Sequence, residues 1–296
     1  MSQAIIEVRG LEVGYGRHPV LKDLSFELPE GSVAALLGRN SCGKTTFLCT
    51  LAGLLPRQAG SVSVLGLDPA KQPVELRRRV GFAADSIEPP PWMRVRDWLR
   101  FLETFFPTWS REEETLLLER LRLDSSQSVK NLSKGAKTKL SLLGALAHRP
   151  RLVLLDEPFS GLDPVIREEV ASAIVGHLRE ESRTILLSSH SFADVERVAD
   201  RVALLRDGRI AMSGELEAVV GCAARFEVQL CEGENGWSPP GSPWIERRGN
   251  QWFLTYSQIS EREEAELVHH PKIASCERKP VNLERLMRSA MEEAAR

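Results

Sequence analysis

The chain has 296 residues, enough for one large α/β domain and a small appendage. Its formal net charge of -2 leaves no basic footprint for non-specific binding to nucleic acid. It opens Met-Ser-Gln with no basic and apolar leader, and no run approaches the roughly 18–20 apolar residues of a membrane span, so neither a secretory signal nor a spanning helix is expected.

Taken in order, residues 4–9 and 11–13 carry apolar positions at strand spacing, and 20–28 resume them after a turn. Gly14-Tyr15-Gly16 lacks the third glycine and the following helix of a dinucleotide fingerprint. It reads as a loop presenting an aromatic ring, with Tyr15 either stacked on a base or half-buried in the loop. Residues 32–37 form a short apolar run expected of a buried strand, and 46–52 suit a helix. Strands are expected at 62–65 and 80–83, with Arg77, Arg78 and Arg79 on a solvated face. From 88 to about 150 the pattern turns helical. Pro89-Pro90-Pro91 breaks the chain, 95–106 and 111–123 have helical spacing, and Ser110 precedes two glutamates as a capped start. Apolar runs return at 152–155, 184–187 and 202–205, with an amphipathic helix over 164–181. Near-continuous apolar strands alternating with helices predict a mostly parallel sheet covered on both faces. Beyond Gly214, strands at 226–230 and 252–256 flank a proline-rich turn, and a helix over 282–293 closes the chain. The expected division is an α/β domain over 1–218, with a helical subdomain at 88–150, and an accessory subdomain over 219–296.

Between the strand at 32–37 and the helix at 46–52 lies Gly38-Arg39-Asn40-Ser41-Cys42-Gly43-Lys44-Thr45, which fits G-x-x-x-x-G-K-[ST]. Gly38 and Gly43 permit torsions and close approaches that a Cβ forbids, so that successive N–H groups, Asn40 to Thr46 among them, can turn toward one anion. Lys44 adds a point charge for the outer phosphates of a nucleoside triphosphate, and Thr45 a hydroxyl for magnesium. The helix that follows points its positive end at the phosphates. Cys42 has two open readings here: a thiol activated by the helix N-terminus and Lys44, or a small buried residue whose sulfur is inert. The five cysteines show no C-x-x-C pairing and no metal-ligand spacing, consistent with a reduced compartment.

Downstream, Asp156-Glu157 ends the apolar run at 152–155, at the strand end where open α/β sheets bind ligands. Asp156 suits magnesium held through water; Glu157, one residue beyond, suits the orientation of an attacking water.

These segments together resemble the nucleotide-binding subunit of an ATP-binding cassette (ABC) transporter over about residues 3–215. The phosphate loop at 38–45, Val80–Asp85 at the family's Gln loop, Leu132-Ser133-Lys134-Gly135-Ala136 resembling the L-S-G-G-Q signature, Asp156-Glu157, Ser160–Asp163 resembling the D-loop and His190 as the switch histidine occur in the family's order. The resemblance implies a P-loop NTPase core with a mostly parallel sheet, an antiparallel β edge, a helical insertion and a small α+β appendage. It implies ATP and Mg2+ as cofactors, Tyr15 stacked on adenine, Glu157, His190 and Lys44 as catalytic residues, and Thr45 and Asp156, with Asp85 as a further candidate, toward the metal. It also implies a head-to-tail dimer, with itself or with a second cassette, in which Ser133 and Gly135 complete the partner's ATP site. The expected partner is an integral membrane permease, placing the chain on the cytoplasmic face of the plasma membrane. Phe106–Trp109, Asn131–Gly135, Ala147–Pro150 and the close at 281–286 are similar to bacterial exporter-type subunits.

Three positions depart from the pattern. Asp85 stands for the usual Gln, Ala136 for the signature Gln, and Ser41 for a frequent glycine, which calls for an ordinary backbone conformation at Ser41. Two other functions share parts of this pattern. A non-transport ABC ATPase on ribosomes or DNA ordinarily carries two cassettes in one chain, or a long coiled coil, and a basic surface, and a regulatory ATP-binding module that hardly hydrolyses has no need of Glu157. The remaining histidines (His18, His148, His177, His269, His270) lack metal-ligand spacing and read as structural or solvated.

Overall fold

The computed structural model describes residues 4–84, 88–178, 183–231 and 237–292. The chain divides into two compact units, Met1–Met212 and Ser213–Arg296; position 218 falls inside a short helix of the second.

The first unit opens with three antiparallel strands in the order β2-β1-β4: β1 (Ala4–Tyr15), β2 (His18–Pro29) and β4 (Ala59–Val64). The two runs read at 4–9 and 11–13 are one strand, because Gly10, at φ 57, takes up a register shift between Val8 and Leu11. The main sheet runs in the order β5-β6-β7-β3-β8-β9. It comprises β3 (Val33–Leu37), β5 (Val80–Ala84), β6 (Leu152–Asp156), β7 (Thr184–Ser189), β8 (Arg201–Arg206) and β9 (Arg209–Glu215). Its β5-β6-β7-β3-β8 pairings are parallel. Strands β3, β6 and β7 are buried at every position, which is why they read as continuous apolar runs rather than alternating ones. Asp207 and Gly208, both at positive φ, make the two-residue turn into β9, a strand the hydrophobic pattern did not disclose.

Helices α1 (Lys44–Leu51) and α2 (Pro73–Arg77) lie between these strands; α3 (Val95–Glu103), α4 (Arg111–Arg120) and α5 (Lys134–Leu146) form the helical insertion. Ser110 caps α4 by accepting from the Glu113 amide at 3.2 Å. Helix α5 lies close upon β5 because position 81 is glycine: a Cβ there would stand 2.2 Å from the Ala145 carbonyl oxygen. Helices α6 (Pro164–Leu178) and α7 (Phe192–Val198) follow β6 and β7. The edge-to-face pair Phe26–Phe47, 5.6 Å between centroids, joins β2 to α1 inside the main core.

The second unit has its own sheet, in the order β11-β12-β10-β13, all antiparallel. It is built from β10 (Ala224–Leu230), β11 (Trp244–Arg248), β12 (Gln251–Tyr256) and β13 (Ile273–Lys279), with α8 (Leu216–Gly221), α9 (Glu261–Val268) and α10 (Leu283–Glu292). Phe226, Val228, Leu254, Tyr256 and Leu267 form a separate core. Strand β13 escaped the sequence reading because its burial pattern is half exposed, as befits an edge strand. No helix among the described residues is long and apolar enough to cross a membrane.

Candidate nucleotide site

Strand order places three chain segments side by side at the C-terminal end of the sheet's central strands. Strand β3 runs beside β7 with Leu37 opposite Ser189, and β7 beside β6 with Leu187 opposite Leu155. The loop after β3, the carboxylates ending β6 and the histidine ending β7 therefore converge, although they are distant in sequence.

The loop at 38–45 uses its two glycines for different reasons. A Cβ at Gly38 would stand 2.6 Å from both Cys42 Sγ and the Leu205 carbonyl oxygen, so close approach excludes a side chain. Gly43, at φ 110, supplies a torsion that L-residues avoid. Ser41 overturns the expectation of an ordinary backbone, with φ at 65. The loop needs a left-handed residue there to curl its amides inward, and serine takes it at a cost of about 1–2 kcal/mol. Cys42 resolves toward the inert reading. Burial pushes its thiol pKa up, outweighing the opposing pull of Lys44, and its side chain packs against the main core.

Lys44 is only 6% exposed, and its Nζ donates to the carbonyls of Gly38 at 2.9 Å and Arg39 at 3.3 Å. It also lies 3.3 Å from Glu157 Oε1. The other oxygen of Glu157, Oε2, is 2.8 Å from His190 Nδ1. One carboxylate thus bridges the loop lysine and the histidine. Glu157 holds φ at 50, a left-handed torsion uncommon for a non-glycine residue and costly to keep. Thr45 Oγ1 donates to Asp156 Oδ2 at 2.7 Å, and Ser188 Oγ donates to Asp156 Oδ1 at 2.6 Å. Ser188 also accepts from the Glu157 amide at 2.8 Å. Sequence reasoning missed Ser188; its signal was a polar pair, Ser188-Ser189, ending an otherwise apolar strand just before His190.

Tyr15, 55% exposed, places its hydroxyl 3.5 Å from Thr46 Oγ1. Tyr15, Asn40, Ser41, Gly43, Lys44, Thr45, Thr46 and Glu157 line a cavity of about 320 Å³. The helix start and buried ammonium of Lys44 suit a polyphosphate. The Thr45 and Asp156 oxygens suit a magnesium ion that keeps most of its ligands as water and phosphate, and no cluster of three or more acidic, His or Cys residues among the described residues offers a fuller metal cage. Ser133 and Gly135 do not line this cavity. Ser133 caps α5, its Oγ accepting from the Ala136 amide at 3.2 Å while its hydroxyl hydrogen stays free to donate. Asp85 lies outside the described residues.

A family model described as ABC transporter matches residues 21–160. The Nod factor export ATP-binding protein I of Rhizobium leguminosarum bv. viciae is 31% identical over 297 residues, covering 96% of this chain and 94% of that protein. The chain belongs to the ABC transporter family. It is an ATP-binding subunit of that family, and an ATPase. The ABC transporter ATP-binding protein YtrB of Bacillus subtilis is 30% identical over 70% of this chain and 70% of its own length. A solved ATP-binding subunit of an ABC transporter superposes with a TM-score of 0.67 at 29% identity, over 73% of this chain and 91% of that one. The same fold recurs, at 20% identity and a TM-score of 0.64, in a dimeric ATP-binding cassette bound to ADP and phosphate. The P-loop core, its antiparallel edge and the helical insertion are those of the ABC cassette.

Proposed function

We propose that this ABC subunit binds ATP with Mg2+ in the cavity around the 38–45 loop and hydrolyses it to drive a membrane permease, in the direction of export. The observation that carries the reading is the bridge from Lys44 through Glu157 to His190. Loop amides and Lys44 hold the outer phosphates, and Tyr15 stacks on the adenine. Glu157 orients the attacking water and accepts its proton, while His190 fixes the carboxylate's angle and contacts the terminal phosphate. Mg2+, held by Thr45 and Asp156, supplies neutralisation of phosphate charge when bound. Ser188 ties the Asp156 carboxylate and the Glu157 backbone amide to the end of β7.

Two cassettes arranged head to tail would let Ser133 and Gly135 of each reach the other's ATP, as a homodimer or with a second cassette. The Met1–Met212 unit is then the ATPase domain and the Ser213–Arg296 unit an accessory one. Export, rather than uptake, is supported by similarity to the Nod factor export protein along almost its whole length, C-terminal region included. A permease partner places the chain at the cytoplasmic face of the plasma membrane, with no role for nucleic acid.

Glu157→Gln is the direct test. It should leave Mg-dependent ATP binding intact and lower steady-state hydrolysis by roughly 10²–10⁴-fold, the range for losing a general base. Hydrolysis within a few fold of wild type would remove Glu157 from the mechanism.

A further inference from the structure

The first turns of α6 reach the signature segment, the 160–163 loop, α5 and α7 through four consecutive residues. Ile166 packs beneath the signature segment: a Cβ on Gly135 would stand 2.6 Å from Ile166 Cδ1. Arg167 donates from Nη2 to the Leu162 carbonyl in the 160–163 loop at 3.4 Å, and its Nη1 lies 3.6 Å from Asp194 Oδ1 on α7. Glu168 pairs with Arg197 on α7, and Glu169 with Lys139 on α5.

Exposure separates these contacts. The Glu168 and Arg197 side chains are 65% and 44% exposed, so their pair contributes little. The Asp194 side chain is only 4% exposed, so removing its cation leaves a buried charge uncompensated. Asp194 stands in the first turn of α7, four residues past His190. Local bonds on the two sides of the histidine tie the start of α7 to the end of β7: the Asp194 amide donates to Ser191 Oγ at 3.4 Å, and the Ser191 amide to Ser189 Oγ at 3.0 Å. His190 lies between these tied residues, one position before the α7 N-cap Ser191, and makes the 2.8 Å contact to Glu157. The Arg167–Asp194 pair is also poorly built as a simple brace. The Arg167 side chain is 35% exposed, yet its Nε and Asp194 Oδ2 are buried without a hydrogen-bond partner among the described residues, and such loosely satisfied pairs add little to stability.

We infer that Arg167 is a positioning residue for hydrolysis: through Asp194 and the Leu162 carbonyl it sets α7 against the 160–163 loop, and so sets the angle at which His190 meets Glu157. This rests on the roles proposed above for Glu157 and His190.

Arg167→Met, which keeps the aliphatic stem, tests it in the full chain. The expected result is a kcat lowered about 10- to 100-fold, the scale of a small misplacement, with KM for ATP within about twofold. Asp194→Asn should reproduce the loss, and the double variant should be no worse than either single one. In an His190→Ala background, single-turnover hydrolysis should fall by less than about twofold more on adding Arg167→Met, because the arginine acts through the histidine. In ¹⁵N spectra of histidine-labelled protein the His190 ring signals should shift in the variant, whereas those of His18 stay in place. Should Arg167→Met fail to fold, Asp194→Asn carries the same criteria. Wild-type kcat in both single variants, an unshifted His190 signal, or a loss that adds in full to His190→Ala overturns the inference. If instead Glu157→Gln itself still hydrolyses ATP, it is the reading of the site that fails.

Discussion

Cys42 lies in the phosphate loop two residues from a lysine and next to a helix start, two features that favour a thiolate. Burial outweighs them and pushes its pKa up, and burial also raises that of Cys49 on α1. Cys222 is the exposed thiol. Maleimide should therefore label Cys222 first and Cys42 no faster than Cys49, as peptide mapping after brief labelling would show. Preferential labelling of Cys42, prevented by Mg-ATP, would reinstate the activated reading. Ser133 offers a second probe at this scale. Gly135→Asp is a poor test of the composite site, since any side chain at 135 meets Ile166. Ser133 is exposed and serves as the α5 N-cap, and aspartate caps a helix as well as serine does. Ser133→Asp should fold normally and bind ATP as a monomer. It should fail to dimerise on ATP, because its carboxylate would face the partner's terminal phosphate at a cost of several kcal/mol. Light scattering that finds an undiminished ATP-dependent dimer would count against the head-to-tail arrangement.

Among the elements, the packing of α5 on β5 governs how the helical insertion joins the sheet. Gly81→Ala forces a Cβ against the Ala145 carbonyl, a backbone contact that no rotamer change relieves. A loss of about 1–3 kcal/mol in the unfolding free energy, read as a lowered urea midpoint, is expected, the range for overpacking. The end of α5 also delivers His148, which is 1% exposed and stacks on Phe106 with ring centroids 4.0 Å apart. Neither ring nitrogen makes a well-formed hydrogen bond among the described residues. Burial pulls its pKa down to about 4, and the carbonyls of Gly144 and Val80 offset that only in part. The unfolded chain takes up a proton near pH 6.5 that the folded chain refuses. Stability is therefore fully present above pH 6.5 and falls as pH drops from there toward 4, by about 3 kcal/mol in all. Thermal scans over pH 4–7 should show this slope, and His148→Phe should flatten it.

Across the whole molecule, two separate cores make two targets for mutation. Leu254 is fully buried in the second unit, and Leu254→Ala should destabilise that unit by about 2–5 kcal/mol. The stabilisation of the first unit by ATP should persist, since it follows from ligand concentration over affinity at the 38–45 loop. Calorimetry with and without Mg-ATP reads both effects; loss of ATP stabilisation in Leu254→Ala would mean that the second unit's core supports the nucleotide site.

Local patterns in the chain were enough for the phosphate loop, the Asp156-Glu157 pair, the capped start at Ser110 and the buried parallel strands. In each, the chemistry lies within a few consecutive residues: glycines at fixed offsets, carboxylates ending an apolar run, a hydroxyl before a helix. Only the tertiary structure decided the positive φ at Ser41, because loop curvature is imposed by what the loop must enclose. It alone weighs burial against charge at Cys42, where burial raises the thiol pKa against the pull of Lys44. It revealed Ser188 and Arg167, whose partners are brought to them by the order of strands in the sheet. It also disclosed β9, β11 and β13, strands too exposed or too short for hydrophobic periodicity to mark, which pair with neighbours that the sequence does not name.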